Sequence, residues 1–329
     1  MTSRISTMWK LSTLLAACIF AWYIGFVSCH HQQWHFEISL FEDGEHQHPA
    51  TTSRAKEAYF TELFNAVSRR LSLLGLGRFH FIRYGFLTLS HTQSKTLFSS
   101  TRRSPTINDV FTNWNSDIAK QVTGRTHGKD INIILTRRHL TDETGKEASG
   151  FAIKGSICTK RNIVLVRDDG IFSAANKLAK VIVNAIGVDV DGFGTASSCS
   201  AQGGHLMGKG ELKLPLDFSR CTKSLTYGAL RRLPCLKSRR ASKAGINIAL
   251  PPKIKRAVYC SSFGSNDCDD QGIGGLEHKQ PKKYECLVHC CKGLTNMNQR
   301  VAPDGLECGE NALKFYDKRC INGACVQIR

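Results

Sequence analysis

Alternation opens the readable part of the chain. Trp34, Phe36, Ile38 and Leu40 interleave with His35, Glu37 and Ser39, the period-two pattern of a strand with one buried face. Ala55, Tyr59, Leu63, Val67 and Leu71 then recur every four residues, which lines one face of a helix. Arg78 to Leu89, rich in Phe, Ile and Tyr, predicts a second strand. Thr106 is placed to cap a helix carrying Ile107, Phe111, Trp114 and Ile118, with Asp109 in its favourable first turn. Two short apolar runs, Ile131 to Leu135 and Ile163 to Val166, are bounded by polar residues and predict buried central strands. Ser173 to Ile186 returns to helical spacing through Ala174, Leu178, Val181 or Ile182, and Ile186. Gly187 follows where a helix terminus favours glycine. Strands alternating with helices predict an α/β domain reaching to about residue 235.

The first residues change that picture by setting the compartment. Arg4 and Lys10 precede an uncharged apolar run from Leu11 to Val27, and Val27-Ser28-Cys29 offers the small residues a signal peptidase reads. Residues 1–29 are therefore read as a cleaved signal peptide; a tilted signal anchor is the alternative. No other stretch has the length to span a bilayer, so a secreted protein without a membrane span, and a monomer, is expected. Of 14 cysteines, Cys18 and Cys29 fall in the signal and the remaining twelve lie at or after Cys158. Residues 30–157 must then hold by core burial alone, while a cysteine-dense tail behind a secretion signal reads as a disulfide framework. A zinc ribbon would be the intracellular alternative.

The net charge of +18 bears on partners and not on fold. Outside the cell it favours sulfated polysaccharide, acidic protein or cell surface, and disfavours nucleic acid. Arg231, Arg232, Lys237, Arg239, Arg240, Lys243, Lys253, Lys255 and Arg256 crowd into one window free of Asp and Glu. That density is typical of heparin-type patches, although most charge runs are only solvated linkers.

From residue 151 onward the motifs resemble the reprolysin metalloproteases, the ADAM and ADAMTS class. Gly150-Phe-Ala-Ile-Lys-Gly-Ser-Ile-Cys158 is similar to the strand and cysteine preceding their catalytic helix. Gly187-Val-Asp-Val-Asp191 resembles the end of their H-E-x-x-H-x-x-G-x-x-H-D signature, and Gly204-His-Leu-Met207 resembles the Met-turn, with Met207 as its methionine. Phe218-Ser-Arg-Cys221 and Pro234-Cys-Leu236 resemble the domain's close. Registered on Gly187 and Asp191, the first His position carries Lys180, the Glu position Val181, the second His position Asn184 and the third Val190. A zinc protease needs two imidazoles one helical turn apart, a third beyond the glycine turn, and a carboxylate base. An ammonium offers no lone pair and repels a dication, and valine neither ligates nor takes a proton. The chain contains no His-Glu dipeptide and no G-x-S-x-G elbow. The expectation is a protein with no catalytic residues, no metal and no cofactor, where active family members hold zinc. The histidines near the mature N-terminus (His30, His31, His35, His46 and His48) are read as solvated polar residues before adventitious metal ligands, and His205 as a turn residue. The strand pattern beginning soon after the signal also leads us to expect no propeptide.

The tail from Tyr259 to Val326 resembles the disintegrin-like module of ADAMTS proteins. The resemblance rests on Phe263-Gly264, Cys286-Leu-Val-His-Cys290, Asp304-Gly-Leu-Glu-Cys308 and Cys320-Ile-Asn-Gly-Ala-Cys325. It implies Cys158–Cys235 and Cys199–Cys221 in the first domain. In the tail it implies Cys260–Cys290, Cys268–Cys291, Cys286–Cys320 and Cys308–Cys325. The adjacent Cys290-Cys291 departs from the family spacing, and no Arg-Gly-Asp is present. A structural cap and a recognition role stay equally open for the tail. The architecture is similar to short tick-salivary and scorpion-venom reprolysins.

The fold class expected is α/β: a metzincin-like metalloprotease domain of mixed sheet and helices, then a small disulfide-rich module. The boundaries expected are 1–29 signal peptide, 30–236 pseudo-catalytic domain, 237–258 basic linker and 259–329 disintegrin-like module. The function expected is that of a secreted, catalytically inactive homologue that binds an extracellular protein or sulfated polysaccharide. The alternative is a secreted zinc metalloendopeptidase.

Overall fold

The structure, a computed structural model, describes residues 32–45, 52–99, 106–122, 130–142, 144–148, 150–170, 172, 174–237, 250–261, 265–267, 286–292, 296–309 and 317–328. The signal-peptide reading lies outside them. No helix among the described residues is long and apolar enough to cross a membrane.

Strand β1 (Gln33–Glu42) leads through helix α1 (Ser53–Ser72) to strand β2 (Arg78–Thr88). Thr52 caps α1, its side chain accepting from the Ala55 N–H. Two short helical stretches follow. Helix α2 (His91–Leu97) and helix α3 (Ile107–Asn113) both start with reciprocal capping boxes, Ser90 with Gln93 and Thr106 with Asp109. α3 widens into a π-turn over Trp114–Ile118 that the apolar spacing alone does not announce.

Strand β3 (Ile131–Thr136), the small ribbon of β4 (Leu140–Thr141) and β5 (Glu147–Ala148), strand β6 (Gly150–Ala152) and strand β7 (Ile163–Arg167) come next. The main sheet has the order β2-β1-β3-β7-β6, parallel throughout except for β6 at one edge. Its central strands are apolar on both faces because helices cover both. α1 and helix α4 (Ala174–Ile186) pack with Phe36, Ile38, Leu63, Phe81, Ile133 and Val164 on one side. α2 and α3 pack with Phe41, Trp114, Ile134 and Leu165 on the other.

Helix α5 (Arg220–Arg231), capped by Ser219, closes this domain. The tail holds helix α6 (Arg256–Ser261) and strand β8 (Asn266–Asp267), which joins β9 (Leu287–Lys292) and β10 (Asn296–Val301) in an antiparallel sheet. A hairpin of β11 (Asp317–Ile321) and β12 (Ala324–Ile328) ends it. The mixed α/β domain with a disulfide-bonded C-terminal region is the expected fold class.

Contacts with the tail begin inside the stretch read as linker. Pro251 is buried, and Ile254 exchanges backbone bonds with Gly305 and Glu307. The tail in turn docks on α1. Arg69 Nε and Arg70 Nη2 reach the two oxygens of buried Asp304 at 2.7 and 2.8 Å, and the Asn322 N–H donates to Asp304 at 2.9 Å.

Candidate functional site

Helix α4 buries Leu178, Ala179, Ile182 and Ala185 against the sheet and stops at Gly187, whose φ of +121° only glycine adopts freely. The Gly187 N–H returns to the Asn184 carbonyl at 2.9 Å, and the chain turns back beneath the helix. Asp189 anchors that return: Oδ2 accepts from Lys154 Nζ at 2.6 Å and from the Thr195 N–H and hydroxyl at 2.9 and 3.0 Å. A side chain at Gly194 would collide with this carboxylate, a Cβ standing 2.3 Å from Oδ2. Asp191 is fully buried. Its N–H donates to the Met207 carbonyl at 3.1 Å, and Oδ1 accepts from Ser219 and Thr222 hydroxyls at 2.6 and 3.1 Å. Asp191 Oδ2 is enclosed without a hydrogen-bond partner. Met207 is likewise wholly buried beneath. The turn, the aspartate and the methionine thus keep a site's scaffolding.

The four side chains over that scaffolding do something else. Lys180 turns inward, and its Nζ donates to the Gly208 carbonyl at 2.6 Å, tying α4 to the turn that carries Met207. Burial depresses the Lys180 amine below its ordinary range; Asp191 offsets part of this and Lys209 adds to it. Val181 is packed away, its methyl 3.3 Å from where a Cβ on Gly150 would sit. Asn184 closes the local turn, Nδ2 donating to the Val188 carbonyl at 3.1 Å. Val190 lies half-buried against the main core. His205 stands half-exposed in the turn, its carbonyl accepting from the Gly208 N–H at 2.8 Å.

This donor set does not fit zinc. One ammonium, one amide nitrogen already donating and two hydrocarbons leave no neutral imidazole pair and no base. The orphaned Asp191 oxygen is a single carboxylate facing the field of a lysine. Two other groupings of potential ligands occur among the described residues, Cys286 with Cys308 and Cys320, and Asp130 with Cys158 and Cys235. All five of those sulfurs are committed to disulfides.

Cystines join Cys158 to Cys235, Cys199 to Cys221, Cys260 to Cys290, Cys286 to Cys320 and Cys308 to Cys325. Cys291 is disulfide-bonded as well, and its expected partner Cys268 lies outside the described residues. Of the basic window, Arg231, Arg232 and Lys255 are exposed. Lys253 stands 3.6 Å from Asp317, and the Arg256 N–H and Nε contact Glu307. Arg239, Arg240, Lys243 and the Lys237 side chain lie outside what is described, as do His30, His31, His46 and His48.

Two features escape sequence reading. Arg69 and Arg70 carry no signal in the sequence, yet they form the seam with the tail. His35 reads as a lone strand histidine, yet parallel pairing sets it opposite His80. Only the register between two strands separated by a whole helix reveals that pair.

The chain is similar to known proteins. The reprolysin (M12B) family zinc metalloprotease pattern matches residues 100–236. "A disintegrin and metalloproteinase with thrombospondin motifs 1" of Bombyx mori is 24% identical over 229 residues, 66% of this chain and 21% of that protein. The chain therefore spans about a fifth of the length of this curated relative. Among solved structures, archaemetzincin from Methanopyrus kandleri matches with TM-score 0.38 and 14% identity, over 60% of this chain and 97% of that one. A chain of a chaperone–substrate complex matches with TM-score 0.39 and 11% identity, over 63% and 40%. The matched stretch takes in β3, β7, α4, the Gly187–Asp191 turn and Met207, so residues 100–236 of the chain carry the reprolysin family pattern.

Proposed function

We propose that this protein is a non-hydrolytic member of its family, released from the cell, which acts by binding an extracellular protein or sulfated polysaccharide. One observation carries the reading: Lys180 spends its ammonium on the Gly208 carbonyl, where a protease of this family would hold an imidazole and its metal. Val181 supports it, because hydrocarbon occupies the position of the proton-accepting carboxylate. The family itself is one of zinc metalloproteases, so hydrolysis is the reading to exclude. The disulfides fit an oxidising compartment.

A peptidase assay tests the first half. The purified mature protein should cleave no casein substrate, and adding zinc or a chelator should not change that. Hydrolysis that a chelator abolishes would sink the proposal. Restoring activity should need Lys180→His, Val181→Glu, Asn184→His and Val190→His together, since any subset leaves an incomplete zinc shell or no base.

The basic window sets the second half. Screening lengths fall from about 10 Å at 0.1 M salt to about 3 Å at 1 M, so a charge-driven complex should leave heparin only well above physiological salt. Neutralising Arg239, Arg240, Lys255 and Arg256 together should lower that salt markedly. Elution of the unmodified protein below about 0.2 M would mean a linker whose charge only solubilises. Capture of an acidic extracellular protein would then be the surviving form of the proposal.

A further inference from the structure

Away from the cleft, β1 and β2 run parallel with His35 directly opposite His80. Along this part of the pair Trp34, Phe36, Phe79 and Phe81 are buried, while Gln33, His35 and Glu37 alternate with them on β1 and Arg78, His80 and Ile82 on β2. The two imidazoles stack with centroids 5.2 Å apart and planes 17° from parallel. His35 Nδ1 and His80 Nε2 are both enclosed and have no hydrogen-bond partner. Buried polar atoms are nearly always partnered, so two orphan ring nitrogens on one stacked pair call for an explanation. A neutral imidazole carries one donor and one lone pair, and a lone pair without a donor is what a metal ion takes.

We propose that His35 and His80 form a two-imidazole site for a divalent transition metal of the zinc and copper type, separate from the family's lost centre. Imidazole nitrogen suits zinc and copper, whereas calcium and magnesium want oxygen. Strand pairing holds the two imidazoles side by side on neighbouring strands, and an ion shared by them would take one nitrogen from each at the ~2.0–2.1 Å of zinc–histidine bonds. Two protein ligands leave the shell incomplete, and water would fill the remaining positions. Burial, then His35 and Arg78, hold the His80 imidazole below its ordinary range, which keeps it neutral and able to ligate. β2 is an edge strand of the sheet, so a bound ion would clip that edge to β1. The charge of Arg78 limits the affinity.

Calorimetric titration of the mature protein with Zn²⁺, and separately with Cu²⁺, tests the proposal near neutral pH. One equivalent should bind. His35→Gln and His80→Gln should each weaken binding by about tenfold or more, since loss of even an outer-shell partner weakens metal sites that much. Joint replacement of His30, His31, His46 and His48 by Gln should leave binding in place. Should a single variant fail to fold, imidazole ¹⁵N resonances of the unmodified protein carry the test: Zn²⁺ should move those of two histidines, His35 and His80. Failure of the unmodified protein to bind either ion, or binding that survives loss of His80, overturns the site. Binding that disappears with the four N-terminal histidines means an adventitious ion only, and overturns it too.

Discussion

The sheet domain and the tail solve the same stability problem by opposite means. Between Gln33 and Ile157 the chain has no cysteine, and two apolar layers close over a five-stranded sheet. Each fully buried Phe, Leu or Ile there contributes about 1.5–3 kcal/mol. The tail buries a much smaller cluster around Tyr259, Val288 and Leu306, and half-cystines make up half of it. Strands of two to six residues cannot collect more, so cross-links that restrict the unfolded chain substitute for core. The difference bears on function. The candidate site lies in the domain that packs, where Val181 and Val190 add hydrocarbon and Lys180 and Asn184 add hydrogen bonds. A fold secured in this way does not depend on a metal centre for its shape.

The seam between the regions should give the largest effect. Burial raises the Asp304 carboxyl, but Arg70 and Arg69 outweigh it and hold the group below its ordinary range. Replacing Arg69 and Arg70 together by Met leaves that carboxylate buried without a cation and should cost about 3–5 kcal/mol. Denaturant unfolding should then split into two transitions, one for each region. A single transition of unchanged midpoint would break the comparison. The sign with pH follows from the depressed carboxyl: the stability Asp304 contributes is present above the ordinary carboxyl range and is lost as pH falls through the lower folded value.

Disulfide reduction ranks next. Removing Cys286–Cys320 by paired serine substitutions should cost about 2–4 kcal/mol and expose the β9 and β11 amides to exchange. The amides of β1, β3 and β7 should stay protected, because Cys286–Cys320 lies wholly within the tail. Loss of protection in β3 would mean that the sheet leans on the tail after all.

How far all this could be read in advance follows the same divide. Alternation in Trp34–Leu40 and four-residue spacing in Tyr59–Leu71 mark β1 and α1 because burial there is the dominant force and leaves a period. Lys180, Val181, Asn184 and Val190 stand out in the sequence only against the resembled signature registered on Gly187 and Asp191. What Lys180 does instead was not legible. Its choice between solvent, a carboxylate and the Gly208 carbonyl depends on how the Met207 turn folds back. The same holds for Arg70 and for His80. Charged and polar side chains find partners through tertiary register, and no local period records that.

The smallest predicted effect concerns a buried carboxyl that titrates in the opposite sense to Asp304. Asp168 ends β7 and is enclosed. The Tyr59 hydroxyl of α1 lies 2.9 Å from each of its oxygens, and the Gly170 N–H donates to Oδ1 at 3.2 Å. The same hydroxyl accepts from the Phe172 N–H at 2.9 Å, and the Tyr59 and Phe172 rings stack at 4.6 Å. Phe172 adopts φ +61°, a left-handed conformation that a bulky residue rarely takes, so this knot holds a strained turn at the entrance to α4. Burial, partly opposed by the Tyr59 and Gly170 hydrogen bonds, lifts the Asp168 carboxyl from the ordinary 3.8 to about 6. Between those values the folded state binds more protons than the unfolded, so stability falls as pH rises through that window and levels off above about 6. Asp168→Asn keeps an acceptor for the knot and removes the titration. The variant should therefore lose that slope and stay within about 1 kcal/mol of the parent at neutral pH. Urea midpoints at three pH values spanning the window decide it: a slope that persists in the variant would assign the titration to another group.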